Sequence, residues 1–299
     1  MLNSGFTLKI EALPKTRKFL LVFSGLLLTA ASFDSVKAQG NLLISPRRVV
    51  FDGEKRSQEL NLANTGKDTA KYVVSFMEIR MTENGAFEEI NQPVSGQRFA
   101  SKFLRFFPRS VTLAPNEAQS IKVQVTKAST MESGEYRSHI YFRAVPNERP
   151  LGEGGEVAKD SGITVRLTPV FGITIPVIIR IGESDTKVGL SDVSFGMVGD
   201  TIPRIGMMLT RSGNMSAYGD ITVEHIGEDG KITEVGMARG VAVYTPNLRR
   251  RFNFDLYRNT GIDFKKGKLK VSFAEQADDL PRGRKPEPLA QTEYSLKGY

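Results

Sequence analysis

The sequence predicts an all-β protein built from two β-sandwich domains. Three observations support this. Short runs rich in Val, Ile, Phe and Thr recur at intervals of roughly 8–12 residues. Turn dipeptides such as Asp52-Gly53, Thr65-Gly66 and Asn84-Gly85 separate them. Apolar and polar residues alternate within the runs, and no helical period is sustained. The chain has 299 residues, enough for about two domains. It has no cysteine, so an exported chain of this kind must be held by its hydrophobic cores. That favours domains near 100 residues over small stapled modules.

The first 38 residues are expected to be a cleavable secretory signal peptide. Lys15, Arg17 and Lys18 precede the 13-residue apolar run Phe19 to Ala31, and the small-residue pattern Val36-Lys37-Ala38 follows. The run is shorter than the ~20 residues that span a bilayer, so no stable membrane insertion is expected after cleavage. Five of the basic and two of the acidic residues lie in this segment, so the net charge of +8 falls to +5 beyond it. That mild excess permits an acidic partner without requiring one. No basic–aromatic interleaving suggests nucleic acid.

The first sandwich is assigned to residues 39–181. Leu60 and Leu62 alternate with Glu59 and Asn61, Tyr72, Val74 and Phe76 repeat the pattern, and Ile121, Val123 and Val125 follow the turn "LAPNEAQ". Phe99 to Ser110 is read as a covering strand ended by Pro108, in preference to the alternative of a short helix followed by a strand. Val145 to Gly162 is rich in Gly, Pro and charge and is read as a long mobile loop. Ile163 to Arg180 then holds one alternating period, with every odd position apolar. Pro169 and Pro176 cannot donate to a ladder, which places parts of this strand at an edge or a bulge. An exposed apolar edge is normally an aggregation hazard, so a protein that keeps one has a use for it.

The second sandwich is assigned to residues 182–276, again as short strands with Gly-containing turns. "NLRRRFNF" (Asn247 to Phe254) is read there as a solvated strand or turn. Residues 277–299, polar and proline-containing, are expected to be a disordered tail. The only histidines are His139 and His225, each inside a β pattern and each read as structural. There is no G-x-S-x-G, no phosphate-cradling glycine loop and no His or Cys metal spacing. No enzyme, metal or cofactor is expected.

Four segments, taken in order, resemble the PapD-like periplasmic pilus-assembly chaperones. They are "SPRRVVFDGEKRSQELNLANTG", "FPRSVTLAPNEAQSIKV", "GEYRSHIYFRAVP" and the alternating segment ending at Arg180. The resemblance spans roughly Asn41 to Arg180, and the second domain resembles the family only in kind. It implies two immunoglobulin-like sandwiches with a cleft between them. It also implies donation of the alternating strand to a pilus or fimbrial subunit that lacks a strand, with an outer-membrane usher as a further partner. The donated residues would be Val165, Leu167, Pro169, Phe171 and Ile173, while Ile175 to Ile179 pack the protein's own core. The family grips the subunit's terminal carboxylate with an arginine and a lysine. The arginine falls on Arg48 and the lysine position on Pro176, where this sequence departs from the pattern. Arg166 or Arg180 are the candidates to replace it. The competing expectation is an exported immunoglobulin-like structural or adhesion module of a surface fibre, which has no need of Arg48.

Overall fold

The computed structural model describes residues 42–126, 128–146, 170–199, 201–258, 261–276 and 284–296. The expected signal peptide lies outside them. So do residues 147–162 of the long loop and 163–169 of the alternating segment.

The first sandwich is made from β1 (Leu42–Ser45), β2 (Val49–Phe51), β3 (Ser57–Asn64), β4 (Ala70–Met77), the hairpin strands β5 (Ile79–Met81) and β6 (Phe87–Glu89), β7 (Leu104–Phe107), β8 (Ser110–Leu113), β9 (Ala118–Val125), β10 (Gly134–Val145) and β11 (Gly172–Ile181). One sheet has the order β1-β3-β9-β7 and the other β2-β11-β10-β4-β8. Every pairing is antiparallel except β2, which runs parallel to β11. Leaving the hairpin aside, the strands from β1 to β10 alternate between the two sheets, an immunoglobulin-like arrangement. The alternation read from the sequence becomes the core: Leu60, Leu62, Tyr72, Val74, Ile121 and Val123 all point between the sheets. Fully burying one such side chain is worth about 1.5–3 kcal/mol. The turn after β3 is fastened by Asn64. Its amide donates to the Asp68 and Leu113 carbonyls at 2.8 and 3.0 Å, and its side-chain oxygen accepts from the Gly66 N–H at 2.9 Å.

The second sandwich pairs β12 (Lys187–Val198), β13 (Ile202–Ser212) and β16 (Arg249–Asp255) in one sheet. The other sheet has β14 (Ala217–Ile226) between β15 (Ile232–Val243) and β17 (Lys268–Ala274), and β18 (Pro288–Ser295) outside β17. Its core gathers Ile205, Leu209, Ile221, Val223, Val271 and Phe273. A third small cluster joins the two sandwiches: Met81, Ile178, Ala242 and Tyr244, with Val50 and Tyr218 against them.

Three sequence expectations need correction. The composition of the tail predicts disorder, yet β18 pairs with β17 from Lys268↔Ser295 to Ala274↔Pro288. Ala290, Thr292 and Tyr294 turn inward and Leu296 is buried. This is a two-residue period that the surrounding prolines and charges obscure. The second sandwich therefore extends past residue 276. Phe99 to Ser110 is not one strand. Ser101–Phe103 forms a 3-10 turn before β7, and β7 ends at Phe107, directly before Pro108. The described part of the alternating strand begins at Gly172 and runs to Ile181, one residue beyond the expected end.

Candidate functional site

The edge of β11 sets the geometry. β11 lies beside β10 along its whole length, from Gly134↔Ile181 to Arg143↔Gly172. On the other side β2 pairs only with Val177, Ile178 and Ile179. Among the described residues, the outer edge of β11 from Gly172 to Pro176 therefore has no strand beside it. Pro176 falls on this stretch, where the lack of an N–H is tolerated.

Along the odd face, exposure grades with position. Ile175, Val177 and Ile179 are core residues. Ile173 is partly buried against that core, and Phe171 is 49% exposed. Val170 beside it is 48% exposed. Among the described positions, then, the core begins at Ile175 and the face opens toward solvent before it. Val165, Leu167 and Pro169 lie outside the described residues.

The open edge runs into a cavity of about 250 Å³. Its walls come from both sandwiches. The first supplies Arg47, Arg48, Met81, Phe87, His139, Thr174 and Pro176, and the second supplies Tyr218, Ala242, Tyr244 and Arg250. Arg48 directly precedes β2 and stands at the start of that strand. Its guanidinium stacks 4.0 Å from the Tyr218 ring centroid, a contact that orients its planar fork. Arg47 is the more exposed of the two, as the alternation implies.

The sequence did not single out Arg250. It is the middle residue of the triple arginine in β16, whose burial alternates so that Arg249 and Arg251 are exposed while Arg250 turns inward with Phe252 and Phe254. That alternation is present in the sequence. It is outweighed there by the run of charge, which ordinarily marks a solvated face. Arg250 Nη1 donates to the Ala242 carbonyl, and its Nε is buried without an acceptor.

Behind the cavity lies Arg137, one of the most deeply buried side chains. Its guanidinium is 4.2 Å from the Tyr244 ring centroid, and Nη2 donates to the Thr245 carbonyl at 3.3 Å. Tyr244 is thus surrounded by charge. Burial raises its pKa, while Arg48, Arg137 and Arg250 pull it down. Burial is the larger effect, so the phenol stays neutral. Burial, then Arg137, also lowers the pKa of His139 to about 3, so its imidazole is neutral near pH 7. His225 is satisfied as expected, with Nε2 2.8 Å from the Lys266 carbonyl. His139 Nδ1 is buried without a partner.

Of the two residues considered as replacements at the Pro176 position, Arg180 is already engaged. It contacts Glu135 at 3.2 Å and donates to the Ser216 carbonyl at 2.9 Å. Arg166 lies outside the described residues.

No protein-family model matches the chain, and no curated protein matches it. Among solved structures, it is similar to a chain from a chaperone–tip adhesin complex of CFA/I fimbriae biogenesis, at 13% identity over 87% of this chain and 100% of that one, with a TM-score of 0.41. It is similar to the YadV chaperone at 13% identity, over 86% and 100% of the two chains, TM-score 0.40. For the Pseudomonas aeruginosa CupB2 chaperone the values are 11%, 85% and 100%, TM-score 0.38.

Proposed function

We propose that this protein is a periplasmic chaperone that captures a pilus or fimbrial subunit by lending it a β-strand. The observation that supports the reading best is the open edge of β11 leading to Arg48. A guest strand laid along Gly172 to Pro176 would continue the line of β2 and run parallel to β11, as β2 does. Ladder hydrogen bonds would supply affinity, and side chains on the odd face would fill the guest's pockets. In this reading Phe171 and Ile173 would do so, with Val165, Leu167 and Pro169 continuing the same alternation along the sequence. A guest chain ending at the cavity would bring its terminal carboxylate to Arg48, where a guanidinium fork offers two charge-assisted hydrogen bonds.

The chain has no catalytic part in this reading. Its work is to hide an incomplete sheet from aggregation until the subunit is passed on, with an outer-membrane usher as the expected recipient.

The test is to export the protein together with the products of neighbouring genes, isolate it, and identify what co-purifies. A small immunoglobulin-like subunit should accompany the wild type. Arg48→Ala should weaken its retention by about 2–5 kcal/mol, the usual result of removing one partner of a buried charge pair, while the chaperone's own folding is unchanged. Protein found alone, exposed at the cell surface, would instead fit the structural or adhesion module.

A further inference from the structure

We infer that Arg250, contributed by the second sandwich, is the second cation for a carboxylate held at Arg48, so that a bound chain terminus is clamped by both sandwiches at once. This rests on the anchor reading of Arg48 and adds a residue and a domain to it.

The argument begins with charge. Arg47, Arg48 and Arg250 all line the cavity, and no Asp or Glu is among the described residues of its wall. Several arginines elsewhere are paired with carboxylates: Arg80 with Glu88, Arg98 with Glu132, Arg180 with Glu135 and Arg204 with Asp255. Arg250 has no carboxylate partner among the described residues. Like charges gathered in a partly desolvated space repel, and an anion relieves that repulsion. Arg47 is exposed and its charge is screened by water. Arg48 and Arg250 are the half-buried pair, one from each sandwich.

The second step is donor accounting. A guanidinium has five N–H donors. Arg250 spends Nη1 on the Ala242 carbonyl, and its Nε has no acceptor. A buried donor without an acceptor is unfavourable, and an anion within reach relieves it. His139, which also lines the cavity, has its Nδ1 in the same condition. Arg180, one of the two candidates to replace the missing lysine, is held by Glu135 and Ser216. Pro176 has no charge to offer.

The third step is size and lining. A volume of about 250 Å³ is below the roughly 300–1,000 Å³ of ordinary small-molecule sites. Phe87, Tyr218, Tyr244 and Met81 give it an aromatic and apolar wall. The ligand class that fits is a chain-terminal carboxylate whose last residue is aromatic or aliphatic.

N-acetylphenylalanine and its uncharged amide would be titrated into the purified protein, with the methyl resonance of Met81 as the probe. The acid should bind and the amide should not. Arg250→Gln and Arg48→Gln should each weaken the acid at least tenfold, and Arg251→Gln, an exposed neighbour on the same strand, should not. Arg250→Lys keeps the charge and should recover part of the binding, which separates a lost ligand from a damaged fold. Unchanged binding in Arg250→Gln, with loss in Arg48→Gln, would remove Arg250 from the site and leave the Arg48 anchor standing. Acid and amide behaving alike would overturn the carboxylate site altogether. Strand donation is then judged separately, by subunit capture in a Phe171→Asp variant.

Discussion

Three arginines close to one tyrosine make an arrangement that only an anion or strong packing can hold. Tyr244 stacks on Arg137, Arg48 stacks on Tyr218, and Arg250 reaches the same cavity from β16. His139 shares this setting, and burial beside Arg137 lowers its pKa from the ordinary 6.5 to about 3. Below pH 6.5 the unfolded chain takes up a proton at this position and the folded chain does not. Stability from this group is therefore fully present above pH 6.5 and falls as the pH drops toward 3, by about 1 kcal/mol per pH unit. Urea unfolding at pH 7 and pH 4.5 should show the loss, and His139→Leu should flatten it. An equally steep profile in that variant would assign the acid sensitivity to other groups.

At the scale of the element, β11 divides its work along its length. Its inner part is core, and a substitution there attacks the fold. In the proposed role, the exposed stretch leading into it is where a substitution would attack binding. Phe171→Asp should change stability by no more than about 0.5 kcal/mol while abolishing subunit capture, because it puts a charge into an apolar guest pocket. Ile175→Asp should fail to fold. If Phe171→Asp unfolds as well, that position belongs to the core and the lending role there is wrong. Gly172 marks the boundary: a Cβ at this position would stand 2.1 Å from the ring of Tyr141, which covers the strand there. β18 makes the opposite point about a segment with a polar, proline-containing sequence. Leu296, buried at the end of it, anchors the last strand of the second sandwich. Leu296→Ala should cost about 2–5 kcal/mol in chemical unfolding, an effect that a solvated tail would not show.

For the whole molecule, the contact between the sandwiches is polar as well as apolar. Glu135, buried on β10, accepts from Arg180 Nε at 3.2 Å and the Ser216 N–H at 3.0 Å. It also accepts from the Ser216 and Thr245 hydroxyls. Two further bonds tie the β5–β6 hairpin to the second sandwich: Asn247 Nδ2 donates to the Met81 carbonyl at 2.8 Å, and the Arg251 N–H donates to the Glu83 carbonyl at 2.7 Å. Breaking one side of a buried network leaves the other side unpaired, at about 3–5 kcal/mol. Glu135→Ala should therefore split calorimetric unfolding into two transitions. A single transition at the wild-type midpoint would show that the apolar cluster around Ile178 and Tyr244 suffices. The same substitution should weaken carboxylate binding if Arg48 and Arg250 act together, since it loosens the contact that brings them to one cavity.

The sequence by itself determined what depends on neighbours along the chain. A two-residue period decides which side chains share a face, so the inward set from Leu60 to Val125 and the single apolar face that includes Ile175, Val177 and Ile179 are legible from residue spacing alone. The same rule separates Arg47 from Arg48. Where local cues conflict, the period is easily overlooked: prolines and charges mask β18, and the arginine run masks the inward turn of Arg250. Tertiary structure alone decided which distant residues meet. Nothing local pairs Arg48 with Tyr218, or Glu135 with Ser216 and Thr245. Nor does any local cue show that β2 ends where it leaves the outer edge of β11 open. Those outcomes follow from how two apolar cores pack and what charge is trapped between them.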